Sequence, residues 1–232
     1  MEQHPGLGSY FYLSLGRTEE HTLEDHQKLT ALFEQNKAAD IHWHYALLDR
    51  FASPIQHQTT PLESLTDGLA WHFNDYPDLS FYSVADISHF GGIAAVKNYY
   101  RQRGQRYQVS EEVGEQAKFS MFRWAAQENN WAFFQKLENE LGTFKVYAWY
   151  GLFGSFFAEN NQLERAEQVF KRALDAGLTD HRYWAGLAGI YGKQGKYAEA
   201  ARQYQKAMAQ LQPAEPAYAQ YQAAIERLQA LN

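Results

Sequence analysis

Cysteine is absent from the sequence. Disulfide bonds, thiolate metal ligands and a thiol nucleophile are therefore excluded. Basic charge is also scarce, because 21 lysines and arginines stand against 27 acidic residues and give a formal net charge of −6. Without a long basic run, the chain lacks the electrostatic pattern of a DNA- or RNA-binding protein. Nucleic acid is not expected as a partner.

Long apolar runs are absent as well. No stretch approaches the roughly 18 apolar residues of a membrane span, and residues 1–8 lack the basic-then-apolar order of a signal peptide. The sequence therefore predicts a soluble chain without a membrane span and indicates no compartment. A composition that is 45% hydrophobic and 16% aromatic favours a folded protein. The 232 residues are enough for one or two domains.

An internal repeat of 34 residues lies near the end of the chain, where 147–180 aligns without a gap with 181–214. Six aligned pairs keep their character: Tyr150 with Trp184, Phe153 with Leu187, Phe157 with Tyr191, Ala166 with Ala200, Phe170 with Tyr204, and Ala173 with Ala207. The small–large–small order of the last three pairs suits two closely packed antiparallel helices. Together with the small residues Gly154 and Ala188 and the turn residue Gly195, the pattern resembles the tetratricopeptide repeat, or TPR.

The first copy departs from the TPR pattern because Asn161 replaces the turn glycine, and the expected closing proline is one position late, at Pro213. Apolar residues at helical spacing in 216–231 predict a capping helix. We therefore assign 147–232 to two TPR-like repeats plus a capping helix. Two further helices over 110–145, the first with Ser110 as its N-cap, are interpreted as a degenerate helical hairpin.

The front of the chain follows a different pattern. A β-prone run at 10–15, a helical pattern at 22–35, a second strand at 41–51 and a helix at 61–74 alternate along the sequence. This alternation predicts a parallel sheet covered by helices. Two strands are too few for an independent sheet, and bare edges invite pairing with another chain. We expect an incomplete α/β unit over 1–80, which a homo-oligomer is one way to complete.

The region between the front unit and the hairpins, 81–109, is predicted to be a linking helix. Its helical pattern runs over 85–103, and Gly91-Gly92 inside it marks a bend. The predicted fold class is therefore mainly α: a partial α/β unit of about two strands with helices, followed by a stack of helical hairpins.

Two motifs in the front unit suggest a family. Tyr12-Leu13-Ser14-Leu15-Gly16 is followed by Glu19, and His57-Gln58-Thr59-Thr60-Pro61 precedes Asp67-Gly68-Leu69. They resemble the C-terminal end of α/β-hydrolase esterases of the group that includes siderophore esterases. In that group a strand ends in a Gly-x-x-acid element, and a later loop carries the catalytic histidine. The resemblance implies Glu19 as the catalytic acid and His57 as the catalytic histidine, and some members of the group continue into TPR-like repeats.

Such a site also needs a serine nucleophile that the histidine deprotonates while the acid orients the imidazole. In this fold the serine lies on a Gly-x-Ser-x-Gly elbow ahead of both partners, and the sequence contains no Gly-x-Ser-x-Gly. We expect the chain to be the C-terminal portion of a serine esterase-like hydrolase or a truncated form of one, inactive alone. An ester substrate would bind only with the missing N-terminal half present, and the hairpins would bind a protein or peptide partner.

Simpler interpretations stand beside these. In the alternative interpretation, the whole chain is a non-catalytic TPR scaffold. His57 is then an ordinary loop histidine, and Glu19 is a solvated residue equivalent to Glu20. His42 and His44 alternate on one strand face without a third ligand, so no metal and no cofactor is expected. The aromatic set favours packing over a substrate pocket: Phe81, Tyr82, His89, Phe90, Tyr99, Tyr100 and Tyr107. The basic cluster at Arg101, Arg103 and Arg106 is either a solvated surface or a holder for an anionic substrate.

Overall fold

A computed structural model describes residues 8–17, 20–36, 41–48, 56–143 and 149–231. The chain is mainly helical, with one two-stranded parallel sheet. Its elements in the described residues are β1 Ser9–Gly16, α1 Glu20–Gln35, β2 Ile41–Leu48, α2 Gln56–His72, α3 Val84–His89, α4 Gly92–Tyr107, α5 Glu115–Gln127, α6 Trp131–Leu141, α7 Tyr150–Glu159, α8 Leu163–Asp175, α9 His181–Lys193, α10 Tyr197–Met208 and α11 Pro216–Gln229.

The described residues fall into two compact units. Unit 1 lies within Met1–Leu79 and Ala94–Val113, and unit 2 lies within Ser80–Ile93 and Gly114–Asn232. None of the helices in the described part of the chain has the length and apolar character that a membrane span requires.

Unit 1 contains the sheet. β1 and β2 pair in parallel from Ser9 opposite Ile41 to Gly16 opposite Leu48, which confirms the predicted strand–helix–strand–helix order. Side chains alternate between the two faces of a strand, and each face receives one helix. Phe33 of α1 packs 5.5 Å from both Phe11 and Trp43, measured between ring centroids. Trp71 of α2 lies against the opposite face.

The predicted boundaries of the front unit differ from the structure by three or more residues at two places. β2 ends at Leu48 rather than at 51, and α2 begins at Gln56 rather than at Pro61. Proline supplies no backbone N–H, so the carbonyl of His57 receives no helical hydrogen bond from position 61. The helix nevertheless extends one turn ahead of Pro61, and His57 lies in this first turn rather than on a loop.

The predicted linking helix is two helices. Gly91 and Gly92, between α3 and α4, have φ angles of 109° and 74°. This left-handed region is open to glycine without steric cost, so the pair ends one helix and starts another rather than bending a continuous one. Ser110 is not an N-cap, because its hydroxyl accepts a hydrogen bond from the Glu112 N–H at 3.2 Å in a local turn and α5 begins only at Glu115.

Unit 2 is built from helix pairs. α5 packs on α6, α7 on α8 and α9 on α10, and α11 covers α10. The turns of the three pairs share one geometry, with Asn129, Asn161 and Gly195 at φ angles of 49°, 57° and 74°. Asparagine tolerates this left-handed conformation better than most residues, which explains how Asn161 replaces glycine in the first repeat.

The residue after each left-handed turn closes it with the same hydrogen bond. The N–H groups of Asn130, Gln162 and Lys196 donate to carbonyls five residues earlier, over 2.8, 2.7 and 2.9 Å. The predicted hairpin at 110–145 therefore has the turn of the two repeats that follow it, although its first helix begins later than expected.

Asp180 is the N-cap of α9, and its charge should make the stability of the protein depend on pH. Its carboxylate accepts a hydrogen bond from the Arg182 N–H over 2.9 Å and pairs with the Arg182 guanidinium. Hydrogen bonds from Arg182 lower the pKa of Asp180 to about 2. Because the folded pKa lies below the unfolded one, this carboxylate stabilises the fold above about pH 4 and loses that contribution as the pH falls towards 2.

Asp180→Ala is expected to lower the free energy of unfolding by about 1 kcal/mol at pH 7, since it removes the cap. Asp180→Asn keeps a capping oxygen and loses only the charge, so its deficit should be smaller and should shrink between pH 4 and pH 2. Urea denaturation followed by circular dichroism measures both. A deficit of Asp180→Asn that grows as the pH falls would contradict the assignment.

Candidate functional site

The carboxyl ends of β1 and β2 define the candidate site in unit 1. Gly16 and Leu48 are register partners at these ends, and the Arg17 N–H donates to the Leu48 carbonyl over 2.9 Å. Because the strands are parallel, both chain segments leave the sheet at the same edge. Glu19 follows Gly16 by three positions, and α2 with His57 follows β2. Ligands of open α/β sheets bind at this kind of edge.

Contacts along α2 fix its direction on the sheet. The hydroxyls of Ser64 and Ser14 lie 2.5 Å apart, and a Cβ on Gly68 would lie 3.1 Å from the ring of Tyr12. Further along, the ring of His72 lies 4.8 Å from that of Tyr10. Residues later in α2 thus contact residues earlier in β1. The helix therefore runs antiparallel to β1 and points its first turn towards the carboxyl end of the strand.

The spacing of these contacts gives the level of His57. Four helical residues rise about 6 Å, which nearly equals the rise of two strand residues. Counting back from Ser64 beside Ser14, the first turn of α2 comes level with the end of β1 at Gly16 and Arg17. The backbone of His57 thus lies level with the carboxyl end of β1, and Glu19 follows that end in the sequence. Glu19 itself and the side chain of His57 lie outside the described part of the structure.

His42 and His44 belong to an aromatic layer beneath α2. Tyr10 stacks on His42 with 4.7 Å between ring centroids, and Trp71 stacks on His44 at 5.7 Å. In the described ranges, no three side chains of histidine, aspartate or glutamate come together as metal ligands. The contacts of the two histidines are those of packing residues.

The arginine cluster is mostly engaged within unit 1. Arg106 donates two hydrogen bonds of 2.9 Å to the carboxylate of Asp75 and lies 4.6 Å from the ring centroid of Tyr10. Arg103 pairs with Asp78 over 2.7 Å. Burial raises the pKa of Tyr100, which also donates to Asp78, to about 12. These contacts hold the chain around Asp75–Asp78 against α4, so Arg103 and Arg106 both have carboxylate partners within unit 1.

The aromatic residues considered as a pocket lining have mixed environments. Phe81 and Tyr100 are buried, whereas Tyr82 is 73% exposed. Tyr99 donates to the Pro77 carbonyl over 2.6 Å. Phe81, Tyr82, His89 and Phe90 belong to unit 2, and Tyr99, Tyr100 and Tyr107 belong to unit 1.

Comparison with known proteins adds no relative. Neither the protein-family models nor the curated proteins nor the solved structures give a match.

Unit 2 contains a cavity that the sequence did not reveal. It has a volume of about 200 Å³ and is called here the α8 cavity; its described lining residues are Glu138, Thr143, Tyr150, Phe157, Arg165, Gln168, Val169 and Arg172. Four of them follow the i, i+3, i+4, i+7 spacing of one face of α8. That spacing is visible in the sequence, but the residues that complete the cavity come from α6, the segment just after it and α7, and are brought there by the fold.

Proposed function

We propose that unit 1 carries the acid and histidine of a serine esterase site and that unit 2 is an attached protein-interaction module of the TPR type. In this proposal His57 is the general base and Glu19 orients its imidazole. The observation that supports it is the direction of α2 on β1. The helix brings the backbone of His57 level with the end of the strand that Glu19 follows, which is the edge where α/β hydrolases assemble acid and histidine.

Exposed apolar surface on α2 supports the idea that unit 1 is part of a larger α/β fold. Leu62, Leu65 and Leu69 of α2, and Phe73 directly after it, are 66%, 60%, 49% and 41% exposed and lie on one side through their spacing. Within the described residues, β1 and β2 pair only with each other. Further parallel strands would pair with the open sides of β1 and β2 and would cover the exposed face of α2. The serine nucleophile would come with them, since this sequence has no Gly-x-Ser-x-Gly elbow.

The test uses the longest natural polypeptide that contains these 232 residues. It should hydrolyse p-nitrophenyl butyrate and react covalently with a fluorophosphonate probe, which labels activated serines. The 232-residue chain alone should do neither. If the longest polypeptide is neither labelled nor active on short and long acyl esters, the esterase proposal is wrong.

The alternative is a non-catalytic scaffold that binds a peptide or partner protein through its hairpins. Its support is the common turn geometry at Asn129, Asn161 and Gly195, which indicates a regular stack with one repeated surface. Activity after His57→Ala in the longest polypeptide distinguishes the two functions. Loss of hydrolysis without unfolding favours the esterase, and unchanged hydrolysis favours the scaffold.

A further inference from the structure

We propose that the α8 cavity binds a small ligand with an apolar or aromatic body and one carboxylate. This site lies in unit 2 and does not depend on the esterase function. Its volume of about 200 Å³ is below the roughly 300–1,000 Å³ of drug-sized ligand sites. The ligand is therefore small, such as a short aromatic acid or the last residue of a peptide chain.

The floor of the cavity is apolar. Tyr150 and Phe157 are buried, at 9% and 3% exposure, and Val169 adds an aliphatic side chain. The guanidinium of Arg165 lies over the ring of Phe157, 4.1 Å from its centroid, so Arg165 packs against the apolar part of the lining. A hydrocarbon or aromatic group entering here would lose contact with water on several sides.

The charge of the lining favours an anion. Arg165 is neutralised by Glu138, to which it donates two hydrogen bonds of 2.6 and 3.2 Å. Arg172 is exposed and has no ion pair within the described ranges. The described lining therefore carries one uncompensated positive charge, at Arg172.

Further donors accompany that charge. Arg172 lies one helical turn beyond Gln168, whose side-chain amide can donate to the same group, and Thr143 adds a hydroxyl to the lining. A guanidinium and an amide one turn apart suit the two oxygens of a carboxylate. Phosphate is less suitable, because the described lining offers only one uncompensated positive charge and a phosphate carries more than one negative charge at neutral pH.

Titration of the full 232-residue chain with 3-phenylpropionate, followed by NMR chemical shifts, tests the site. Saturable shifts should appear around α6 and α8, with the neutral isostere 3-phenylpropanamide binding at least tenfold more weakly. Absence of saturation, or equal affinity of acid and amide, would overturn the proposal.

Matched variants locate the ligand. Arg172→Gln should weaken 3-phenylpropionate at least tenfold, because it removes the charged partner. Arg202→Gln on α10, also an exposed arginine, should leave binding unchanged. Val169→Trp, which fills the floor, should abolish binding, and circular dichroism checks that each variant is folded. Equal effects of the two arginine variants, or unchanged binding by the Val169 variant, would contradict the site.

A final pair of probes separates the two sources of the ligand. A pentapeptide that ends in phenylalanine with a free carboxylate should bind if the natural ligand is a chain terminus, and its amidated form should not. If 3-phenylpropionate binds and neither form of the pentapeptide does, the natural ligand is a small metabolite-sized acid. Either result supports the site, whereas equal binding of the free and amidated peptides would contradict it.

Discussion

Replacing His57 by glutamine in the longest natural polypeptide is expected to lower kcat/KM for p-nitrophenyl butyrate by about 10²–10⁴-fold, the usual contribution of a general base. Glutamine is a good helix former, so the first turn of α2 should remain intact. The loss should fall on kcat rather than on KM, because the imidazole acts in the transition state and contributes little to substrate binding.

The control is His89→Gln, which changes an exposed histidine of α3 and should leave activity unchanged. His57→Ala with added imidazole provides a second readout, since a free base that enters the vacated space should restore part of the rate. A structural histidine would show no such rescue. Unchanged kcat in His57→Gln would remove His57 from the mechanism.

The role of Glu19 as the catalytic acid is tested by comparison with its neighbour Glu20. Glu19→Gln should lower kcat because the imidazole loses the carboxylate that orients it and stabilises its charged form. Glu20→Gln should have little effect if the spacing from Gly16 identifies the acid correctly. The reverse order of effects would assign the role to Glu20, and equal small effects would indicate two solvated carboxylates.

The front of the chain could be predicted at the level of element order because its signals are local. Apolar strand runs and a helical period alternate in the sequence, and the parallel pairing of β1 with β2 follows from the helix between them. The register of α2 on β1 could not be predicted. It depends on side-chain contacts between distant residues, such as Ser14 with Ser64, that no local pattern encodes.

The misplaced helix starts have one common cause. Pro61 and Ser110 are both residues that favour a helix N-terminus, and this preference is what predicts a helix start at each of them. In the structure α2 extends one turn ahead of Pro61, and Ser110 uses its hydroxyl in a local turn instead. Preferences of this kind are worth about 1 kcal/mol, so tertiary packing outweighs them readily.

The hairpins were the most predictable part, because a repeat presents the same signal twice. The α8 cavity was not predictable from it. Arg165, Gln168, Val169 and Arg172 lie on one face of a predicted helix, but the partner that neutralises Arg165 is Glu138 of the preceding hairpin. Only the three-dimensional structure shows that Arg165 has an acidic partner and that Arg172 has none within the described ranges.

Phe170 in α8 is a buried packing residue whose removal should have a large effect on stability. It is 3% exposed, and its ring lies against both Gly154 of α7 and Gly186 of α9. Phe170→Ala should lower the free energy of unfolding by about 3–5 kcal/mol, the usual cost of emptying a buried aromatic site. Because the ring contacts both repeats, its loss should destabilise the pair together. Urea denaturation followed by circular dichroism measures the change.

The two glycines give a sharper test of the same contact. A Cβ on Gly186 would lie 2.5 Å from the Phe170 ring, whereas a Cβ on Gly189 of the same helix meets nothing within 4 Å. Gly186→Ala should therefore destabilise the protein by about 1–3 kcal/mol through overpacking. Gly189→Ala should stabilise it by up to about 1 kcal/mol, since alanine is the better helix former.

The double variant Gly186→Ala with Phe170→Leu completes the argument. Leucine lacks the outer ring atoms that approach Gly186, so the alanine should cost less in this background than in the wild type. The difference is the coupling energy of the two positions. If Gly186→Ala costs the same in both backgrounds, the close approach of helices α8 and α9 does not depend on the Phe170 ring, and the small–large–small pattern of the repeat needs another explanation.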